Sequence, residues 1–152
     1  MTIIYIDADA CPVKQETFRV AERFGVNVVL VANKAMRVPE EPWIRFELVA
    51  GSFDAADDWI AEHVVAGDVV VTADIPLAAR ALKKGAAVIS PNRRVYTESN
   101  IGEALASREL MYRLRESGAI TGGPPPFDKG DRSWFLQNLD LILRRVQKEG
   151  RT

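Results

Sequence analysis

The chain has 152 residues, 47% hydrophobic and 27% charged, with a net charge of −1 and one cysteine. This is the composition of an ordinary soluble globular protein, expected as one domain over residues 1–152. No apolar run approaches the ~20 residues of a membrane span, an intrachain disulfide is excluded, and a reducing, cytoplasmic setting is expected.

The first residues lack the basic, apolar and small-residue order of a signal peptide. Ile3, Ile4, Tyr5 and Ile6 instead form an apolar run that ends in Asp7-Ala8-Asp9. Such a run reads as a strand covered on both faces, as in a parallel sheet. Pro12 stands where a first helical residue would, and 13–24 carries helical spacing up to Gly25. A second strand is predicted over 26–31. After a polar stretch to Pro42, residues 43–49 alternate apolar and polar, as in a more exposed strand. Residues 51–54 read as a turn, and 55–65 as a helix closed by Gly67. Val69, Val70 and Val71 make a third apolar run and end in Thr72-Ala73-Asp74. A helix over 75–84, a strand over 86–90 and a loop over 91–97 follow. Ser99 or Asn100 is placed to cap a helix running to Ser117. Residues 118–130 hold four glycines and three consecutive prolines and read as a loop, after which Asp131 is predicted to cap a last helix through about 148. Strands alternating with helices predict an α/β fold, with a central, mainly parallel sheet of about five strands flanked by helices.

In open parallel sheets, ligands bind beyond the carboxyl ends of the strands. Asp7 and Asp74 are predicted at two such ends, so negative charge gathers at one place and calls for neutralisation. A divalent cation with carboxylate ligands would supply it. Asp9, two residues from Asp7, either shares that cation or caps the following helix. Asp54, Asp57 and Asp58 open a helix, where the helix dipole alone would favour acids. Asp57 flanks the apolar stripe and is placed to point towards Asp7, whereas Asp58 lies across from it. The Thr72 hydroxyl is a candidate to hold a bound water or a phosphate. Cys11 precedes a helix, but the single histidine, His63, lies on another element, so no thiol–imidazole pair is indicated. Phe127 and Phe135 are expected to hold the late loop to the core, and Arg132 either joins that role or leans towards the acids.

The charge is unevenly divided. Residues 1–75 carry 6 Lys/Arg and 13 Asp/Glu (−7), whereas residues 76–152 carry 14 and 8 (+6). Basic helices are usually solvated faces, yet a basic region beside an acidic metal site would also suit a polyanion such as RNA. Arg93, Arg94 and Arg132 are the candidate phosphate contacts.

Five segments together resemble the YaiI/YqxD family of bacterial proteins, which is grouped with PIN-like domains. They are Asp7 to Val13, Phe53 to Asp58, Thr72 to Ala78, Tyr96-Thr97 with Asn100-Ile101, and Phe127 to Phe135. The resemblance implies a PIN-like α/β domain and a ribonuclease-type site in which acids surround Mg²⁺ or Mn²⁺. On that reading Asp7, Asp57 and Asp74 are the catalytic acids, Asp9 is an extra metal ligand and Asp131 a further one. A catalytically inactive RNA- or protein-binding module is the alternative. A haloacid-dehalogenase-like phosphatase fits Asp7-Ala8-Asp9 alone.

Overall fold

The computed structural model describes residues 1–52, 54–121 and 126–150. Six strands form one sheet: β1 (Ile3–Asp7), β2 (Asn27–Ala32), β3 (Ile44–Leu48), β4 (Val69–Val71), β5 (Ala87–Ser90) and β6 (Arg94–Tyr96). Five helices surround it: α1 (Lys14–Phe24), α2 (Ala55–His63), α3 (Ile75–Lys83), α4 (Ile101–Glu116) and α5 (Lys129–Glu149). The fold is thus the α/β class that the alternating pattern predicts, and it is consistent with a PIN-like domain.

The strand order is β3-β2-β1-β4-β5-β6, and every pair is parallel except β5 with β6. From β1 the chain steps outward through β2 to β3, then returns to the other side of β1 with β4. The order therefore reverses between β1 and β4. A crevice opens at such a switch point, beyond the carboxyl ends of the two strands.

The period of two in each strand divides the interior into two layers. Ile4, Ile6, Val69 and Val71 face the core shared with α1 and α5, including Phe18, Phe135, Leu139 and Leu143. Tyr5 and Val70 face the other way, towards Ile60, Leu77, Ala78 and Ala104 of α2, α3 and α4. Carried one residue on, this parity puts Asp7 and Thr72 on the α2–α3 side. Helix α5 buries Phe135, Leu139, Ile142, Leu143 and Val146, the spacing of one helical face. Shortening Leu139 to Ala there would cost about 2–5 kcal/mol.

The structure corrects several local expectations. The loop predicted over 91–97 contains β6, a three-residue strand that pairs antiparallel to β5 through Val88 with Tyr96 and Ser90 with Arg94. So short a segment has too little alternation to show a period. Helix α1 starts at Lys14 rather than at Pro12, because the chain first turns through Ala10, which has a left-handed φ of 61°. Helix α5 is capped by Asp128, not Asp131. Asp131 is the third helical residue, and the two side chains hydrogen-bond each other's backbone N–H in a capping box. Asn100 precedes α4 but makes no cap; its amide bridges Thr97 N–H and Val95 C=O. The predicted turn at 51–54 and the proline-rich loop lie in part outside the described residues, at Phe53 and at 122–125.

Candidate acidic site at the switch point

β1 and β4 run level, with Ile6 opposite Val71, so the next residues, Asp7 and Thr72, meet across the crevice. The Thr72 hydroxyl donates to Asp7 Oδ2 at 2.9 Å and accepts the Asp74 N–H at 3.0 Å. It thereby fixes two of the acids to one another. Asp74 is the N-cap of α3, with Oδ1 accepting from Leu77 N–H at 2.8 Å. Asp57, in the first turn of α2, lies close enough to Asp74 and Asp7 for their charges to act on it.

Like charges brought near one another in a partly buried crevice are unfavourable. The electrostatics follow. Burial, with the Asp74, Asp7 and Asp54 charges added, pushes the Asp57 carboxyl up to about 7. Burial, with the Asp74 and Asp9 charges added, pushes Asp7 up to about 6 even though the Thr72 hydroxyl opposes the shift. Among the described residues no Lys or Arg pairs with Asp7, Asp57 or Asp74.

The donor chemistry suits a hard cation: carboxylate oxygens with one hydroxyl behind them. The arrangement is not a closed shell, however. Among the described residues no group of three or more His, Cys, Asp or Glu side chains stands ready to surround an ion.

The family model described as "Uncharacterized BCR, YaiI/YqxD family" matches residues 5–145. The chain belongs to the YaiI/YqxD family. Relatives named UPF0178 protein from Brucella ovis and Brucella suis are each 57% identical over 148 residues, covering 97% of this chain and 92% of theirs. A third, from Brucella canis, is 56% identical with the same coverage. No solved structure matches the chain.

Not every predicted site residue of this YaiI/YqxD member joins the crevice. Asp9 is close enough to raise Asp7, but its Oδ2 accepts the Asn33 N–H at 2.8 Å, tying the loop after β1 to the end of β2. It caps Asn33 rather than helix α1. Asp54 precedes α2 without a side-chain cap, and its charge bears on Asp57. Asp58 points to solvent and pairs with Arg80 at 2.7 Å, as its position across the helix predicts.

The second cluster departs furthest from expectation. Asp131 is engaged by Arg93, whose Nε lies 2.5 Å from its Oδ1, and that ion pair holds its carboxyl below the usual range. Arg93 also stands 3.9 Å from Asp128. Gly130 permits this approach, since a Cβ there would come within 2.5 Å of Arg93 Nη2. Arg93 thus already has an ion-pair partner in Asp131. Arg132 bonds Glu16 at 2.9 Å and the Pro12 C=O at 3.2 Å while lying over the Phe127 ring, 4.9 Å from its centre. It anchors the late loop to α1, with Phe135 fully buried below. Of the three candidate arginines only Arg94, exposed on β6, has no side-chain hydrogen-bond or ion-pair partner among the described residues.

Cys11 is inert on this geometry: burial, first of all, pushes its thiol up to about 11. Two contacts in the segments after β1 and β2 carried no sequence signal. Lys14 donates to the Cys11 C=O at 3.0 Å, and Asn33 offers its N–H to Asp9. A lysine in a first helical turn and an asparagine after a strand are ordinary in sequence.

Proposed function

We propose that the protein is a metal-dependent phosphodiesterase acting on nucleic acid, RNA in preference, with Asp7, Asp57 and Asp74 as the acids that hold Mg²⁺ or Mn²⁺. The observation that carries this reading is the linkage of Asp7 and Asp74 through Thr72 at the switch point, with Asp57 near enough to feel both charges and no Lys or Arg among the described residues paired to them. When bound, the ion supplies Lewis-acid polarisation of the phosphate and lowers the pKa of a water in its shell. The chain's own residues supply the rest. Thr72 locks the Asp7 carboxylate, and the start of α3 fixes Asp74 through its cap. Asp57 holds a proton near neutrality that it yields when positive charge arrives. Arg94 lines a groove of about 590 Å³ with Asn92 and Ser107; it is the residue we assign to a backbone phosphate. The unclosed donor set favours one alternative, a module that binds nucleic acid or protein in the same crevice without turnover.

Calorimetric titration with Mn²⁺, followed by incubation with single-stranded RNA, separates the two. Saturable Mn²⁺ binding with metal-dependent cleavage supports the enzyme. RNA binding without Mn²⁺ affinity supports the module. RNA affinity in either case should fall steeply with salt, and Arg94→Glu should weaken it for all sequences alike, because phosphate contacts carry no base information. Absence of RNA affinity at low salt with Mn²⁺ present defeats the nuclease reading and the nucleic-acid-binding module alike.

A further inference from the structure

The sheet has two edges, and the chain treats them differently. At one edge β6 is three residues long, and the Asn100 amide donates to the Val95 C=O at 2.9 Å. At the other, β3 has five residues in unbroken register with β2. It contains no proline, lysine or bulge, the devices that commonly keep an edge from pairing. The Val28 N–H bonds the Trp43 C=O, and the Val49 N–H bonds the Ala32 C=O. The alternation between these two bonds turns the N–H and C=O groups of Arg45 and Glu47 towards β2 and those of Ile44, Phe46 and Leu48 outward. The Ile44 N–H is taken by the Glu41 C=O. The outward groups of Phe46 and Leu48 have no partner among the described residues.

The side chains of β3 indicate what pairs there. Ile44 and Phe46 lie against the α1–α5 layer, and Leu48 shares their side, 54% exposed. Arg45 and Glu47 lie on the other face and form an ion pair. An antiparallel strand of the same sequence, centred on Phe46, sets Phe46 opposite the partner's Phe46, Ile44 opposite the partner's Leu48, and Arg45 opposite the partner's Glu47. Opposed residues of an antiparallel pair share a face. Apolar side chains therefore meet on one face, and charges alternate in sign on the other. The backbone groups match as well. Phe46 exchanges both bonds with the partner's Phe46, and the Leu48 N–H donates to the partner's Ile44 C=O, twice by symmetry. Registers centred on Arg45 or on Glu47 keep outward groups paired but set that charge against its own copy. A parallel strand in register also stacks like on like. Self-complementarity about one axis is the requirement for a two-fold interface.

We infer that the partner of β3 is a second copy of this chain, joined edge to edge through antiparallel β3 strands about a two-fold axis at Phe46, so that the two sheets become one. Sedimentation over a concentration series tests this. The wild-type chain is expected to dimerise. Leu48→Pro should weaken the dimer at least about tenfold, because it removes the bonds to the partner's Ile44 and none to β2. Its circular dichroism should match the wild type. Arg45→Glu and Glu47→Arg should each weaken self-association, since each sets like charges opposite one another. Combined in one chain, the two substitutions should restore it, because both contacts are again opposite in sign. A dimer indifferent to Leu48→Pro, or a double variant that associates no better than the single ones, overturns the inference. So does a wild-type monomer at every concentration, which leaves the edge to a strand from another protein.

Discussion

At the end of the sheet where β1, β4 and β5 finish, two groups of carboxylates sit under opposite electrostatic conditions. Asp128 and Asp131 have Arg93 against them, use their remaining hydrogen-bonding capacity on the first turn of α5, and are fully accounted for as structure. Asp7, Asp57 and Asp74 have no Lys or Arg paired to them among the described residues, and burial and mutual repulsion push Asp7 and Asp57 up. In sequence both groups are acids near helix starts. The presence or absence of a facing arginine separates a cap from a candidate site. An acid with all its partners is silent about function, whereas carboxyls pressed together without a counter-charge invite one.

Removing one acid from each group breaks this comparison most sharply. Asp7→Asn should lose Mn²⁺ binding and RNA hydrolysis by more than the roughly 10–100-fold that a supporting residue costs. Asp131→Asn should leave both intact. Calorimetry and a cleavage assay decide, and equal effects at the two positions would dissolve the distinction.

Thr72 comes next. Thr72→Val takes a donor from the Asp7 carboxylate and an acceptor from the Asp74 N–H, which should cost about 1–3 kcal/mol in denaturant unfolding. Thr72→Ser should recover most of it. A neutral Thr72→Val would mean that the hydroxyl does not bind the two acids together.

The two groups should also give opposite pH slopes in metal-free protein. Asp7 and Asp57 hold their protons more tightly folded than unfolded. Their contribution is therefore fully present below the ordinary carboxylate value near 4 and is lost as pH rises through about 6 and 7. Asp131, held low by Arg93, contributes above the ordinary value and loses that contribution as pH falls below it. After discounting for solvent screening, the Asp7–Asp57 effect is about 1–2 kcal/mol. Melting between pH 5 and pH 8 measures it. Asp68 is also raised by burial, so the readout is the wild-type slope minus that of Asp57→Asn. Identical slopes would show that Asp57 is not crowded by its neighbours.

The smallest effect belongs to Arg93. Its ion pairs are solvent-exposed and screened, so Arg93→Ala should lower thermal stability least of all these variants. Arg93→Gly should cost less than Arg93→Ala, because the backbone there has a left-handed φ of 60° that glycine adopts freely. The reverse order in thermal melts would mean that the strain is not relieved at this turn.

Much of the chain's design is open to reading along its length. The apolar runs at 3–6 and 69–71, the helical stripes between them and the glycines that end helices come from local periodicity and backbone preference, which act within a few residues. They were enough to determine an α/β fold and to set Asp7, Thr72 and Asp74 just beyond the carboxyl ends of two strands. They also separated Asp57 from Asp58 by helix face. What lies beyond those ends depended on contacts between residues distant in sequence. The pairing of β6, the turn of Asp9 to Asn33 at Ala10, and the capture of Asp131 by Arg93, 38 residues away, are set by how packed elements meet. Spacing reports which side of its own element a residue faces; it carries no information about which charge waits on the element opposite, and that charge decided which acids became structure and which remained open to a ligand.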